Sequence, residues 1–133
     1  MTEIYGALSE MPEEIYFLDT YALVEIVYGN ENYLRFKKAK CLVTIFNLME
    51  LHYRLLQDHG DEQAREKTVQ FSKWLFRFEI LDIFEANLFR RANLAKKLSF
   101  TDCLGYIISK NKKIRFVTGD KQFENMDNVE FVR

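Results

Sequence analysis

Four acidic residues stand where a chain of alternating strands and helices would bring them to one rim. Asp19 directly follows the apolar run Ile15-Tyr16-Phe17-Leu18, and Asp120 follows Ile114-Arg115-Phe116-Val117 through Thr118-Gly119. Glu50 falls in the second turn of a helix expected after Leu42-Val43-Thr44, and Asp102 in the first turn of one starting at Ser99. Each has a bland explanation. Asp19 with Thr20 is a good helix cap, Ser99-Phe100-Thr101-Asp102 has capping-box spacing, and Thr118-Gly119-Asp120 is ordinary turn chemistry. Capping does not explain Glu50, which lies too far into its helix, nor why all four should share a rim. Carboxylates brought together repel, and a divalent cation removes the conflict. Oxygen-only donors suit Mg²⁺ or Mn²⁺, which can hold a phosphate oxygen and lower the pKa of an attacking water. Such a set suits phosphodiester hydrolysis.

The elements that would position these acids follow from periodicity. After the strand at 15–18 comes a helix over 21–28 closed by Gly29-Asn30, then a short helix over 31–40 with Tyr33, Leu34 and Phe36 inward. A strand over 42–44 leads into a helix over 45–58 with apolar positions 45, 48, 49, 55 and 56, stopped at His59-Gly60. A longer helix from Asp61 carries a stripe of Ala64, Thr68, Phe71, Trp74, Leu75 and Phe78. Ile80-Leu81-Asp82-Ile83 reads as a strand, 85–98 as a helix with Leu88, Ala92 and Ala95 on one side, and 99–111 as another helix. Strands at 114–117 and 129–132 complete the chain. This alternation with short connections predicts an α/β three-layer domain, its central sheet mostly parallel and flanked by helices. Ligands of such sheets bind at the carboxyl ends of the strands.

Composition bounds the function. The 133 residues, 48% hydrophobic with one proline and five glycines, suit one compact domain. Residues 1–14, with Pro12 and glutamates at 10, 13 and 14, read as an arm, and the domain as 15–133. A net charge of -1 argues against a generic nucleic-acid coat, so any such role needs local clusters. Three exist: Arg35, Lys37, Lys38 and Lys40; Arg90, Arg91, Lys96 and Lys97; and Lys110, Lys112, Lys113, Arg115 and Lys121. The third is favoured for RNA because its chain leads into Asp120. Cys41 and Cys103 have no CxxC or Cys/His grouping, as expected of reduced, buried thiols, and no zinc site is formed. No apolar run approaches a membrane span, and the N-terminal residues lack a basic-then-apolar signal layout, so a cytoplasmic protein is expected. GxxxxGK[ST] and GxGxxG are absent, which excludes a P-loop or a dinucleotide fold. His52, two residues from Glu50, faces another side of its helix and is no catalytic partner.

The segments FLDT, VTIFNLMEL, LSFTDCLGYIISKN and IRFVTGDKQF together resemble the PIN-domain ribonucleases, most of all the VapC-type toxins of toxin–antitoxin modules. LSxxD followed by TxDxxF is the most discriminating part. The resemblance runs from Ile15 to the C-terminus and implies a PIN-like fold and endoribonuclease activity with Mg²⁺ or Mn²⁺. It maps the family's metal-binding and catalytic acids to Asp19, Glu50, Asp102 and Asp120, with Thr118 as the hydroxyl residue beside the last acid; Lys121, from the third basic group, is the residue expected to meet the substrate. It implies an RNA substrate, a small antitoxin partner and a homodimer. For the dimer the expected surface is the first helices, with Val24, Val27, Tyr28 and Tyr33. Two departures stand out: the long arm before Ile15, and Tyr21, where family members often carry a small polar residue. A PIN nuclease of ribosomal RNA maturation and a silent PIN-like binding module are the competing readings.

Overall fold

In a computed structural model, residues 14–133 are described; the expected arm over 1–14 lies outside this range except for its last residue. The chain runs β1 (Ile15–Leu18), α1 (Thr20–Val27), a 3₁₀ segment (Glu31–Lys38), β2 (Lys40–Leu42), α2 (Ile45–His59), α3 (Asp61–Val69) and a second 3₁₀ segment (Gln70–Trp74). It continues through α4 (Ile80–Ala92), a turn of 3₁₀ helix (Leu94–Lys96), α5 (Phe100–Lys112), β3 (Arg115–Thr118), another 3₁₀ turn (Lys121–Phe123) and β4 (Val129–Phe131). The four strands form one sheet in the order β2-β1-β3-β4, and every pairing is parallel.

Alternation along the strands divides the apolar residues between two cores. Tyr16, Leu18, Cys41 and Val117 point to one face, where Leu23 and Ile26 of α1 and Leu48, Leu51 and Leu55 of α2 cover them. Phe17 and Phe116 point to the other, beneath Leu104 and Ile108 of α5 and Ala86 of α4. Sheet faces covered on both sides by helices give the expected three layers. Both cysteines are free and buried, and burial pushes their thiols up to about 12 for Cys41 and about 11 for Cys103. No helix among the described residues is long and apolar enough to cross a membrane.

Several elements differ from the sequence-based expectation. Ile80-Leu81-Asp82-Ile83 is the first turn of α4, not a strand: the Glu79 amide donates to the Asp82 carboxylate at 2.8 Å, and Ile80 and Leu81 are 64% and 65% exposed. Apolar residues on an outward helix face mimic a buried strand when read in sequence alone. The same helix stops at Ala92 and buries Ala86, leaving Leu88 and Ala92 outside. The stripe from Ala64 to Phe78 does not lie on one helix, because α3 ends at Val69. Phe71 and Trp74 enter the first core, whereas Phe76 and Phe78 pack on the second. Between them, Leu75 forms a parallel bridge with Val43, covering the edge beside β2. β2 begins two residues early, and Thr44 caps α2. The segment after α1 winds at three residues per turn, which aligns Tyr33 with Phe36 in the core and leaves Leu34 42% exposed. Of the apolar positions assigned inward on α2, Ile45, Met49 and Leu56 are exposed, and Leu51 takes their place.

α5 crosses β1 closely at Gly105, where a Cβ would stand 2.5 Å from the Phe17 ring and 3.2 Å from that of Phe116. Gly105→Ala should therefore destabilise the protein by about 1–3 kcal/mol through overpacking, despite alanine's better helix propensity. Urea denaturation of the two proteins measures this.

Candidate active site

From the end of β1 the chain turns toward β2, and from the end of β3 toward β4, on opposite sides. The crevice between those two strand ends is the switch point where parallel sheets bind ligands. Leu18 pairs with Val117, and the Asp19 amide donates to the Val117 carbonyl at 3.2 Å, so Asp19 sits directly at that crevice. Its Oδ1 accepts from the Ala22 amide at 2.8 Å, capping α1. The residue is only 3% exposed. Burial pushes its carboxyl up to about 8, the nearby Asp102 and Asp120 add to that rise, and the Thr118 hydroxyl and Ala22 amide oppose it.

The other acids reach the same rim from separate elements. Asp102 forms the reciprocal capping box of α5: Ser99 Oγ accepts from the Asp102 amide at 3.0 Å, and Asp102 Oδ2 accepts from the Ser99 amide at 3.0 Å. Burial, followed by Asp120 and Glu50, raises its pKa. Asp120 caps the 3₁₀ turn after β3 by accepting from the Gln122 amide at 3.0 Å, and its own amide donates to Thr118 Oγ1 at 3.0 Å. Thr118 is fully buried between the two strand-end acids, and Lys121 is exposed beside them. The bland explanation and the functional one therefore coexist: each cap engages one carboxylate oxygen, and Asp19 still feels the charge of Asp102 and Asp120, and Asp102 that of Asp120.

Glu50 is held differently. Its Oε1 accepts from the Thr20 hydroxyl at 2.6 Å, and Thr20 Oγ1 accepts from Asn47 Nδ2 at 3.2 Å. Asn47 is buried one turn before Glu50 and also completes the cap of α2 with Thr44. Sequence reasoning assigned Thr20 to a cap and passed over Asn47. The signal was there in the i,i+3 spacing of Asn47 and Glu50, which puts them on one face of α2.

The donors are all oxygen, and a buried acid is surrounded by like charges, which fits a hard divalent cation. Among the described residues no three acidic, histidine or cysteine side chains close in tightly enough to enclose an ion by themselves. An ion seated here would keep several waters, as Mg²⁺ does.

The basic residues around the rim are not those favoured from sequence. Lys110, Lys112 and Lys113 end α5 at about 1.5 Å per residue from Asp102, roughly 12 Å or more away, and Arg115 starts β3. Of the third group only Lys121 lies beside the acids. Two of the second group, Arg90 and Lys96, do reach toward the rim, because α4 and α5 are adjoining helices joined by a short link. Arg90 Nε donates to the Leu98 carbonyl at 3.1 Å, and its guanidinium lies 4.1 Å over the Phe100 ring. Lys96 Nζ reaches the Gln122 carbonyl at 3.4 Å, next to the Asp120 cap. The expected dimer surface also changes, since Val24 and Tyr33 are in the core. Of the expected set Tyr28 is exposed, and further exposed apolar residues include Ile45, Met49 and Tyr53 on α2 and Ile80, Phe84 and Leu88 on α4.

Comparison with known proteins agrees with this fold. A family profile described as PIN domain matches residues 16–129. Among solved structures, VapC20 from Mycobacterium tuberculosis, described as a sarcin–ricin loop cleaving toxin, superposes with a TM-score of 0.70 at 18% identity, over 89% of this chain and 98% of that one. VapBC2 from Rickettsia felis, bound to a DNA fragment from its promoter, gives 0.66 at 21% identity over 89% and 97%. A toxin–antitoxin complex from Klebsiella pneumoniae gives 0.66 at 15% identity over 86% and 95%. No curated protein matches the sequence significantly.

The raised pKa of Asp19 has a consequence for stability. Its carboxyl holds a proton in the folded protein up to about pH 8 but loses it near 3.8 when unfolded. Folding is thus favoured below pH 4, and the metal-free protein should lose stability as pH rises from about 4 to 8. Asp19→Asn, which keeps a capping oxygen, should flatten that slope and raise the urea midpoint at pH 8 while changing it little at pH 4. Denaturation series at the two pH values check this.

Proposed function

Because the chain belongs to the PIN-domain family, we propose that it is a Mg²⁺- or Mn²⁺-dependent endoribonuclease, the toxin of a VapBC-type toxin–antitoxin pair, with residues 15–133 as its nuclease domain. The observation that carries this reading is the buried Asp19 carboxyl at the switch point, with Asp102 and Asp120 near enough to raise its pKa. Asp19, Asp102 and Asp120 would hold the ion together with bound waters, and Glu50, kept in place by Thr20, would reach it through water or accept the proton of the attacking water. Thr118 orients a ligand or a water between the strand ends, and Lys121 meets the substrate phosphate. A bound Mg²⁺ or Mn²⁺ ion supplies charge neutralisation and a water of lowered pKa for attack on phosphorus. Holding a cation would require Asp19 to release its proton, so cation affinity is expected to rise with pH through about 8.

RNA is the substrate, held along the rim by Arg90, Arg91, Lys96 and Lys97 together with Lys121. The likeness to a structure described as a toxin–antitoxin complex supports a small antitoxin as partner. The apolar faces of α2 and α4 supply surface for that partner and for a homodimer, and a cleft of about 230 Å³ lined by Phe46, Ile83, Phe100 and Leu104 opens beside Thr101. The cytoplasm is the compartment in which such a nuclease meets RNA.

Asp102→Asn should lower RNA cleavage in Mg²⁺ or Mn²⁺ by about a hundredfold or more while retaining the cap of α5. Sequencing of RNA ends after incubation with each protein reads both the loss and the cleavage site; equal cutting by the variant would sink the assignment. In that inactive background, Arg91→Ala and Lys96→Ala should each reduce the slope of log affinity against log salt by about 0.7. Lys112→Ala and Lys113→Ala, on the far edge, should leave it unchanged.

A further inference from the structure

Gly119, between Thr118 and Asp120, is buried, and its backbone does not lie in the left-handed region that would demand glycine. What demands it is space. A Cβ there would stand 2.2 Å from Cε1 and 2.6 Å from Cζ of Tyr21, and 2.7 Å from the Val132 carbonyl oxygen. Tyr21 lies two residues after Asp19 in the first turn of α1, so its ring crosses from the turn after β1 to the turn after β3. The ring also packs 6.4 Å from that of Tyr33, which is buried and whose hydroxyl donates to the same Val132 carbonyl. The two turns that carry Asp19 and Asp120 thus share one aromatic plate, seated where only a hydrogen atom fits beneath it.

We propose that Tyr21 is a positioning residue: its ring, seated on Gly119, locks the Thr118–Asp120 turn against the start of α1 and so fixes Asp120 relative to Asp19. The link to cation binding rests on the metal-dependent reading above; the lock itself does not. The contact is made by the ring carbons, so the hydroxyl is dispensable. Tyr21 and Gly119 act as a matched pair: enlarging 119 pushes the ring away, and removing the ring frees the turn.

Two measurements test this. The first is amide hydrogen exchange at Asp120, whose N–H is bonded to Thr118 Oγ1. Tyr21→Ala should speed that exchange about tenfold or more while amides of α5 stay protected, and Tyr21→Phe should match wild type. Unchanged exchange in Tyr21→Ala, or acceleration throughout α5, overturns the proposal. The second is Mn²⁺ titration by calorimetry. Tyr21→Ala and Gly119→Ala should each weaken binding by about tenfold, and the double variant should lose no more than the worse single one. Additive losses, about a hundredfold, would overturn the pairing. Asp120→Asn separates the two ideas: if it leaves Mn²⁺ affinity intact, the metal assignment fails, while the exchange result still decides whether Tyr21 locks the turn.

Discussion

A carboxyl group buried at the end of a central strand is costly, and the arrangement of this molecule follows from tolerating it. Asp19 continues β1, which lies between β2 and β3 with both faces covered, so no rotation of its side chain reaches bulk water without opening the crevice. The compensation is local and incomplete. One backbone amide and one hydroxyl favour the charged form, but burial and two neighbouring acids outweigh them. The crevice is therefore an electrostatic deficit that a cation would fill, maintained by two cores that hold the strand ends rigidly apart.

The helices contribute to the same balance. α1, α2 and α5 all begin near the carboxyl edge of the sheet, so their unpaired amides and positive dipole ends converge there. Each is capped by a side chain that also belongs to, or supports, the acidic set: Asp19 on α1, Thr44 with Asn47 on α2, Ser99 with Asp102 on α5. The near-zero net charge hides this division of labour. Setting the four acids aside leaves sixteen against nineteen basic residues, so the remainder of the chain is mildly basic.

Much of this was legible in the sequence because it depends on local rules. Short β-branched and aromatic runs ended by Asp or Thr mark strands leading into caps, and Asp19, Asp102 and Asp120 could be placed on one rim from topology alone. What could not be read depends on which side of a helix meets another element. Ile80–Ile83 has the composition of a buried strand, yet its residues face outward from α4. The stripe through Trp74 and Phe78 follows helical spacing, yet the chain breaks at Val69 and splits those residues between two cores. The basic groups illustrate a related limit of linear proximity: Lys112 and Arg115 are close to Asp120 in sequence, but an antiparallel turn from α5 into β3 places them at the opposite edge. Thr20 and Asn47 escaped notice because their role exists only between elements.

The double use of the acids constrains how such a protein can change over generations. At an ordinary active site, drift to any small residue abolishes activity at no cost to the fold. Here replacement of Asp19 or Asp102 by alanine would also uncap a helix packed on the sheet. Among single replacements, asparagine best preserves the cap while removing the charge, so a lineage losing activity would be channelled through aspartate-to-asparagine exchange. Selection for folding alone would keep a capping oxygen at Asp19 and Asp102 long after selection for chemistry had ceased, without keeping the charge.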